Sequence, residues 1–174
     1  MTRLVITIVG EDRPGIVESL SATVADHGGN WLSSSMSNLA GQFAGIIEVA
    51  VDESACDGLA AAIGALPGLQ VHSVQGGDDG IADGTPLATI EVVGVDQPGI
   101  VRRLTTVLRE AGVSLLEFNS WNEPAPHSGD ELFRAVADFA LPEGLDLEAL
   151  GARLEEAAEE MAVDIELALP PDEE

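Results

Sequence analysis

Two short stretches carry residue types that could do chemistry: Asp12-Arg13-Pro14-Gly15-Ile16 and Asp96-Gln97-Pro98-Gly99-Ile100. Each follows an apolar run and precedes a segment with helical periodicity, so each reads as a strand-to-helix turn. Proline at the first helical position suits that turn, because its missing N–H would have no partner there and its fixed φ is already helical. Asp12 and Asp96 lie close enough upstream to accept hydrogen bonds from the free N–H groups of the first turn. Gly15 and Gly99 leave the backbone bare, so a ligand carboxylate can meet the N–H groups of Gly15 and Ile16 at the positive end of the helix dipole. Such a corner contributes about 0.3–2 kcal/mol, enough to orient a small anion and too little to hold one alone. An aspartate beside it can pair with an ammonium group, which makes an amino acid a fitting ligand. The alternative is that Asp-x-Pro-Gly is a sound strand-to-helix connection and binds nothing.

No other constellation points to catalysis. His27, His72 and His127 have no metal-ligand spacing. His27 falls in the last turn of a helix, where positive charge suits the dipole. His72 reads as a strand-face residue, and His127, near Asp130 and Glu131, as a loop residue that either touches a cation or is simply solvated. Cys56 has no base partner in sequence and reads as a small buried residue. No nucleophile elbow, phosphate-binding glycine loop or dinucleotide fingerprint is present. Glu155-Glu156 and Glu159-Glu160 form a solvated helix face, and Trp31 and Trp121 read as packing or interface residues. The expectation is no catalytic residue, no metal and no cofactor.

The elements that position the two turns form an internal repeat. Residues 4–36 lie over residues 88–120 at a constant offset of 84, without gaps. Identical pairs include Ile6/Ile90, Gly10/Gly94, Asp12/Asp96, Pro14/Pro98, Gly15/Gly99, Ile16/Ile100, Val17/Val101, Leu20/Leu104, Gly28/Gly112 and Leu32/Leu116, most of them in or beside the turn. Each copy opens with a β-branched strand (Leu4–Val9; Leu87–Val93). A helix follows with its apolar stripe at Ile16, Leu20, Val24 or at Ile100/Val101, Leu104, Val107/Leu108. Gly28 and Gly112 stand where a helix-ending glycine belongs. Then come a second strand (Trp31–Asn38; Ser114–Trp121), a third (Phe43–Val51; Leu132–Leu141), a second helix (Leu59, Ile63, Leu66; Leu147, Leu150, Leu154, Ala158, Met161) and a closing strand (Gln70–Gln75; Val163–Leu169). A longer, proline-containing loop over Asn122–Asp130 sets the second copy apart.

The order βαββαβ, twice, predicts an α+β fold: two ferredoxin-like modules, each an antiparallel four-stranded sheet with its helices on one face. The modules span residues 1–76 and 87–170, joined by a polar, glycine-rich linker over 77–86 and followed by an acidic tail over 171–174.

Charge narrows the partners. The chain has 31 acidic residues against 7 arginines and no lysine. Residues 1–77 hold 8 acids and 2 arginines; residues 78–174 hold 23 and 5. Such a surface lacks the basic footprint that supplies nucleic-acid affinity, so direct binding to DNA, RNA or an anionic membrane is not expected. A basic protein partner fits; so does plain solubility or adaptation to a salty interior. One cysteine excludes an intramolecular disulfide, and no apolar run approaches the roughly 18 residues of a membrane span. The N-terminal apolar run is too short for a secretory signal. A cytoplasmic protein is expected.

With this turn and this order the sequence resembles the ACT-domain family over nearly its whole length, and within it the tandem-ACT group of glycine cleavage system transcriptional repressors. Leu4-Val5-Ile6-Thr7, Gly10 and Asp12-Arg13-Pro14-Gly15-Ile16-Val17 carry the likeness. The resemblance implies an amino acid bound at an interface between two modules, gripped by the strand-to-helix loop and an asparagine at the start of the second strand. The loop positions are Asp12, Arg13, Pro14, Gly15 and Ile16, with Asn30 as the asparagine. In the second copy they are Asp96, Gln97, Pro98, Gly99 and Ile100, and Ser114 stands in the asparagine's place. Asn119 lies further along that strand and is not its equivalent.

The implied function is a non-catalytic, amino-acid-responsive regulator, glycine among the candidate ligands. It would act through a protein partner such as a transcription factor or an enzyme, and as a homodimer. A regulatory subunit of a metabolic enzyme and a ligand-free dimerisation module are the rival readings. On these residues the first copy is the better ligand-site candidate and the second the acidic, partner-facing half.

Overall fold

The computed structural model describes residues 1–76, 85–126 and 129–169, and falls into two compact units divided near residue 80. Most of the linker (77–84), His127 and the tail therefore lie outside the described residues.

The first unit runs β1 (Thr2–Glu11), α1 (Ile16–Asp26), β2 (Asn30–Leu39), β3 (Gln42–Val51), a short 3-10 turn (Glu53–Ala55), α2 (Cys56–Gly64) and β4 (Leu69–Gln75). All strand pairs are antiparallel, in the order β2-β3-β1-β4. Alternation along the strands decides which face is covered. Leu4, Ile6 and Ile8 of β1 and Ile47, Val49 and Val51 of β3 point one way and are buried with Ile16, Leu20 and Val24 of α1 and Leu59 and Ile63 of α2. Both helices thus cover a single face. Leu66 packs on the same core from beyond the end of α2.

The second unit repeats the plan: β5 (Leu87–Val95), α3 (Ile100–Glu110), β6 (Leu115–Pro124), β7 (Glu131–Ala140), α4 (Leu147–Met161) and β8 (Val163–Ala168), with sheet order β6-β7-β5-β8. Its core joins Ile90 and Val92 of β5, Phe139 and Ala137 of β7, Leu104 and Leu108 of α3, and Leu150 and Leu154 of α4. The α+β fold read from the sequence is the fold found.

Local devices recur at equivalent positions. Gly28 and Gly112 adopt φ of 70° and 74° just past the helix ends. Their N–H groups bond the carbonyls of Ala25 and Arg109, and the next N–H groups, of Gly29 and Val113, reach back to Val24 and Leu108. That pair of bonds is the Schellman closure of a helix. Leu32 and Leu116 sit at β-bulges where β2 and β6 slip register against their neighbours, which throws both side chains into solvent.

Three expectations need correction. Val101 is not part of the buried stripe of α3: it is 40% exposed, like its counterpart Val17 at 45%, because the inward face runs through Ile100, Leu104, Val107 and Leu108. Ser114 lies before β6 and not in it. And β6 extends through Asn122 and Glu123 to Pro124, so only the residues after Pro124 form the connecting loop. Proline is tolerated there because β6 is an edge strand.

Candidate functional site

Both turns are built alike. The N–H groups of Asp12 and Asp96 are spent on the neighbouring hairpin, donating to the carbonyls of Gly41 and Glu131 at 2.9 Å. The chain then enters the helix through a left-handed glycine: Gly15 at φ 88° and Gly99 at φ 105°. Their carbonyls accept the first helical bonds, from Ser19 and Arg103. Each glycine is therefore the N-cap, and Pro14 and Pro98 precede it. The expectation of proline at the first helical position is corrected for that reason: the sharp turn needs a positive φ, which only glycine adopts without strain.

Having no side chain, Gly15 and Gly99 offer no capping bond, and the first N–H groups of α1 and α3 have no partner within their helix. The aspartates do not fill the gap. Asp96 Oδ2 instead accepts a bond from Asn122 Nδ2 at 3.0 Å, and Asp12 lies exposed in the first module. The residue after each aspartate braces the turn against the end of the second helix. Arg13 Nη2 donates to the Pro67 carbonyl at 2.8 Å, and Gln97 Nε2 to the Met161 carbonyl. Asp12, Arg13, Pro14 and Gly15, and Asp96, Gln97, Pro98 and Gly99, are exposed, whereas the side chains of Ile16 and Ile100 are core. Only the backbone of those isoleucines is available to a ligand.

In the second module the turn opens onto a cleft of about 580 Å³ lined by Asp96, Gln97, Gly99, Ile100, Val101, Arg102, Thr105 and Phe133. Arg102, Thr105 and Phe133 were not singled out from sequence. Phe133 is the structural counterpart of Phe43, since they face Gly94 and Gly10 across equivalent strand pairs. At the offset of 84, Arg102 stands over Glu18, and that charge reversal was the signal available in the alignment.

Asn30 is not beside the turn of its own module. It pairs with Ala50, which also pairs with Arg3, whereas Gly10 pairs with Phe43 at the other end of the sheet. Seven residues of strand separate the two levels, about 24 Å at 3.4 Å per residue. An amino acid cannot touch both within one module.

The remaining candidates are placed as follows. His27, the residue just past α1, donates from Nδ1 to the Thr23 carbonyl at 2.8 Å. His72 is exposed on β4 opposite Thr7. Cys56 is buried at the start of α2, its Sγ 3.7 Å from the Asp52 carbonyl. Trp31 packs on the first core, and Trp121 is 43% exposed, its indole N–H donating to Glu123 Oε2 at 3.4 Å. Glu155, Glu156, Glu159 and Glu160 are exposed on α4, with Glu160 Oε2 2.7 Å from Arg103 Nη2 of α3. Among the described residues no group of histidine, cysteine and carboxylate side chains could hold a metal ion, and no helix is long and apolar enough to cross a membrane.

The uncovered faces of the two sheets differ in charge. In the second module, strand alternation puts Glu91, Glu117, Glu123, Asp138, Asp164 and Glu166 on the face away from the helices, around Arg134 and Trp121. In the first, the corresponding face carries Val5, Thr7, Val9, Ala44, Ile46 and the ion pair of Arg3 with Glu48 at 3.1 Å.

Comparison with known proteins agrees with this architecture. An ACT-domain family model matches residues 2–68. The crystal structure of an unknown protein from Galdieria sulphuraria superimposes with a TM-score of 0.83 at 32% identity, over 97% of this chain and 98% of that one. The crystal structure of a candidate glycine cleavage system transcriptional repressor superimposes with a TM-score of 0.68 at 17% identity, over 97% of both chains, a likeness of fold. The UPF0237 protein MK1213 of Methanopyrus kandleri is 41% identical over 54 residues, 31% of this chain. The matched stretch spans 60% of that relative's length.

Proposed function

Because the chain belongs to the ACT-domain family, as a tandem of two such modules, we propose that it is a non-catalytic regulatory protein that responds to a small amino acid and passes the signal to a protein partner. The observation that carries this reading is the turn itself. In both modules an exposed aspartate and a side-chain-free glycine frame helix N–H groups that lack partners in the helix, and in the second they open onto a cleft. An ammonium group and a carboxylate are the two charges such a turn can receive.

The proposed contacts are Asp12, Arg13, Pro14, Gly15, Ile16 and Asn30 in the first module and Asp96, Gln97, Pro98, Gly99 and Ile100 in the second. The separation of about 24 Å between turn and Asn30 means that a ligand gripped by both needs a second module; in this reading a second copy of the chain supplies it, as a homodimer. The acidic sheet face of the second module offers a basic protein partner a surface rich in carboxylates. Glycine is the first amino acid to test and a transcriptional regulator the first partner to seek, an order supported by the likeness in fold to a candidate glycine cleavage repressor.

The test is thermal-shift and calorimetric titration of the full chain with each of the twenty amino acids. Binding of one or a few of them with Kd at or below about 1 mM, equivalent to about −4 kcal/mol, is expected. No response to any amino acid at millimolar concentration leaves the ligand-free dimerisation module as the better reading. Co-purification with a metabolic enzyme would favour a detached regulatory subunit.

A further inference from the structure

We infer that Arg102 makes the cleft of the second module the carboxylate-receiving site of the pair, with Asp96 as the partner of the ligand's ammonium group. This assignment rests on the amino-acid-sensing reading and goes beyond it, because it selects one of the two turns and names the residue that does so.

The first observation is a missing partner. In a chain with 31 acidic residues and 7 arginines, each guanidinium is expected to find a carboxylate or a carbonyl. Arg3 pairs with Glu48, Arg103 with Glu160, Arg109 and Arg153 with Glu110, and Arg134 with Glu123, while Arg13 donates to the Pro67 carbonyl. Among the described residues Arg102 alone makes neither an ion pair nor a side-chain hydrogen bond, and it lines the cleft. A guanidinium is a planar fork that matches a carboxylate through two parallel hydrogen bonds.

The second observation is the contrast between copies. Apart from Gln97 for Arg13 and Thr105 for Ser21, the cleft residues have identical counterparts in the first module, with one change of sign: Glu18 replaces Arg102. A carboxylate approaching the first turn meets another carboxylate, and Arg13, the cation nearest in sequence, is already engaged with Pro67. In the second module the anion meets Arg102, and Asp96 Oδ1 stays open because Asn122 occupies only Oδ2. Val101, with the edge of Phe133 behind it, supplies the apolar wall against which a small side chain would rest.

The experiment is calorimetric titration of the full chain and of the variants Arg102→Gln, Arg102→Lys and Glu18→Gln. The probes are the twenty amino acids together with glycinamide, which keeps the ammonium group and lacks the carboxylate. Arg102 is on the surface, so unchanged circular dichroism and melting temperature are expected for its variants. Loss of a charge-assisted bond predicts a Kd raised about 10- to 100-fold in Arg102→Gln, partial recovery in Arg102→Lys, no change in Glu18→Gln and no tight binding of glycinamide to any form. An amino acid bound equally by wild type and Arg102→Gln overturns the assignment of Arg102 and leaves amino-acid sensing standing. If binding tightens in Glu18→Gln and does not fall in Arg102→Gln, the first module is the receiving site. If the wild type binds none of the twenty, both readings fail.

Discussion

The side-chain amide of Asn122 donates to the Asp96 carboxylate at 3.0 Å, joining the end of an edge strand to the strand-to-helix turn. The equivalent pair in the first module, Asn38 and Asp12, makes no such bond among the described residues. Asn122→Ala is therefore expected to lower stability by about 0.5–1.5 kcal/mol, the net worth of an ordinary hydrogen bond. Asn38→Ala is expected to stay within about 0.5 kcal/mol of wild type, as surface changes usually do. Urea unfolding of the two variants side by side checks the contrast.

Gly68 and Ala162 occupy equivalent places just before the closing strands, whose first residues pair with Gly10 and Gly94. Both are left-handed, at φ 76° and 50°, but only Gly68 adopts that region without a Cβ penalty. That penalty is about 1–2 kcal/mol. Ala162→Gly is expected to stabilise the second module by about 1 kcal/mol, and Gly68→Ala to destabilise the first by a similar amount. Paired thermal melts would show shifts of opposite sign; equal signs would mean that the strain is relieved elsewhere.

Arg134 hydrogen-bonds Glu123 and holds its carboxyl below the usual glutamate range, with the Trp121 indole adding to the effect. A depressed folded-state pKa means that the ionised group stabilises the fold above the unfolded value of about 4.3 and loses that contribution as pH falls through the lower folded value. The group is exposed, so the effect is small. Glu123→Gln cannot ionise. The stability difference between wild type and this variant should be open at neutral pH and close as pH falls below the unfolded value and through the lower folded one. Urea midpoints measured from pH 7 to pH 3 report it, and a gap that does not change with pH would show that the ion pair is not its source.

Most of the fold was legible because its signals are periodic and local. The stripe Ile16-Leu20-Val24, the alternation Leu4-Ile6-Ile8 and the glycines at 28 and 112 each state their own role. The site was less legible, because its decisive relations join residues far apart in sequence. The bond from Asn122 to Asp96 depends on β6 continuing to Pro124, and a proline there reads as loop until the strand is known to be an edge. Pro14 and Pro98 suit a first helical position by type. Yet the left-handed glycine that follows each one is what turns the chain. By type and spacing Arg102 is one more charge on an amphipathic helix; its place in the cleft, and its lack of an ion pair among the described residues, separate it from Arg103.

The bulges at Leu32 and Leu116 also govern how far each sheet can grow. An edge strand is a template: its unpaired N–H and C=O groups invite another chain to continue the ladder, and a straight edge lets that continuation run on without limit. In both modules the same strand, β2 or β6, carries the interruption near its start. A bulge bends and twists the strand that holds it, so an added strand loses its register at that point. The duplicated leucine thus marks the point on each of these edges where a further strand would meet a break in register.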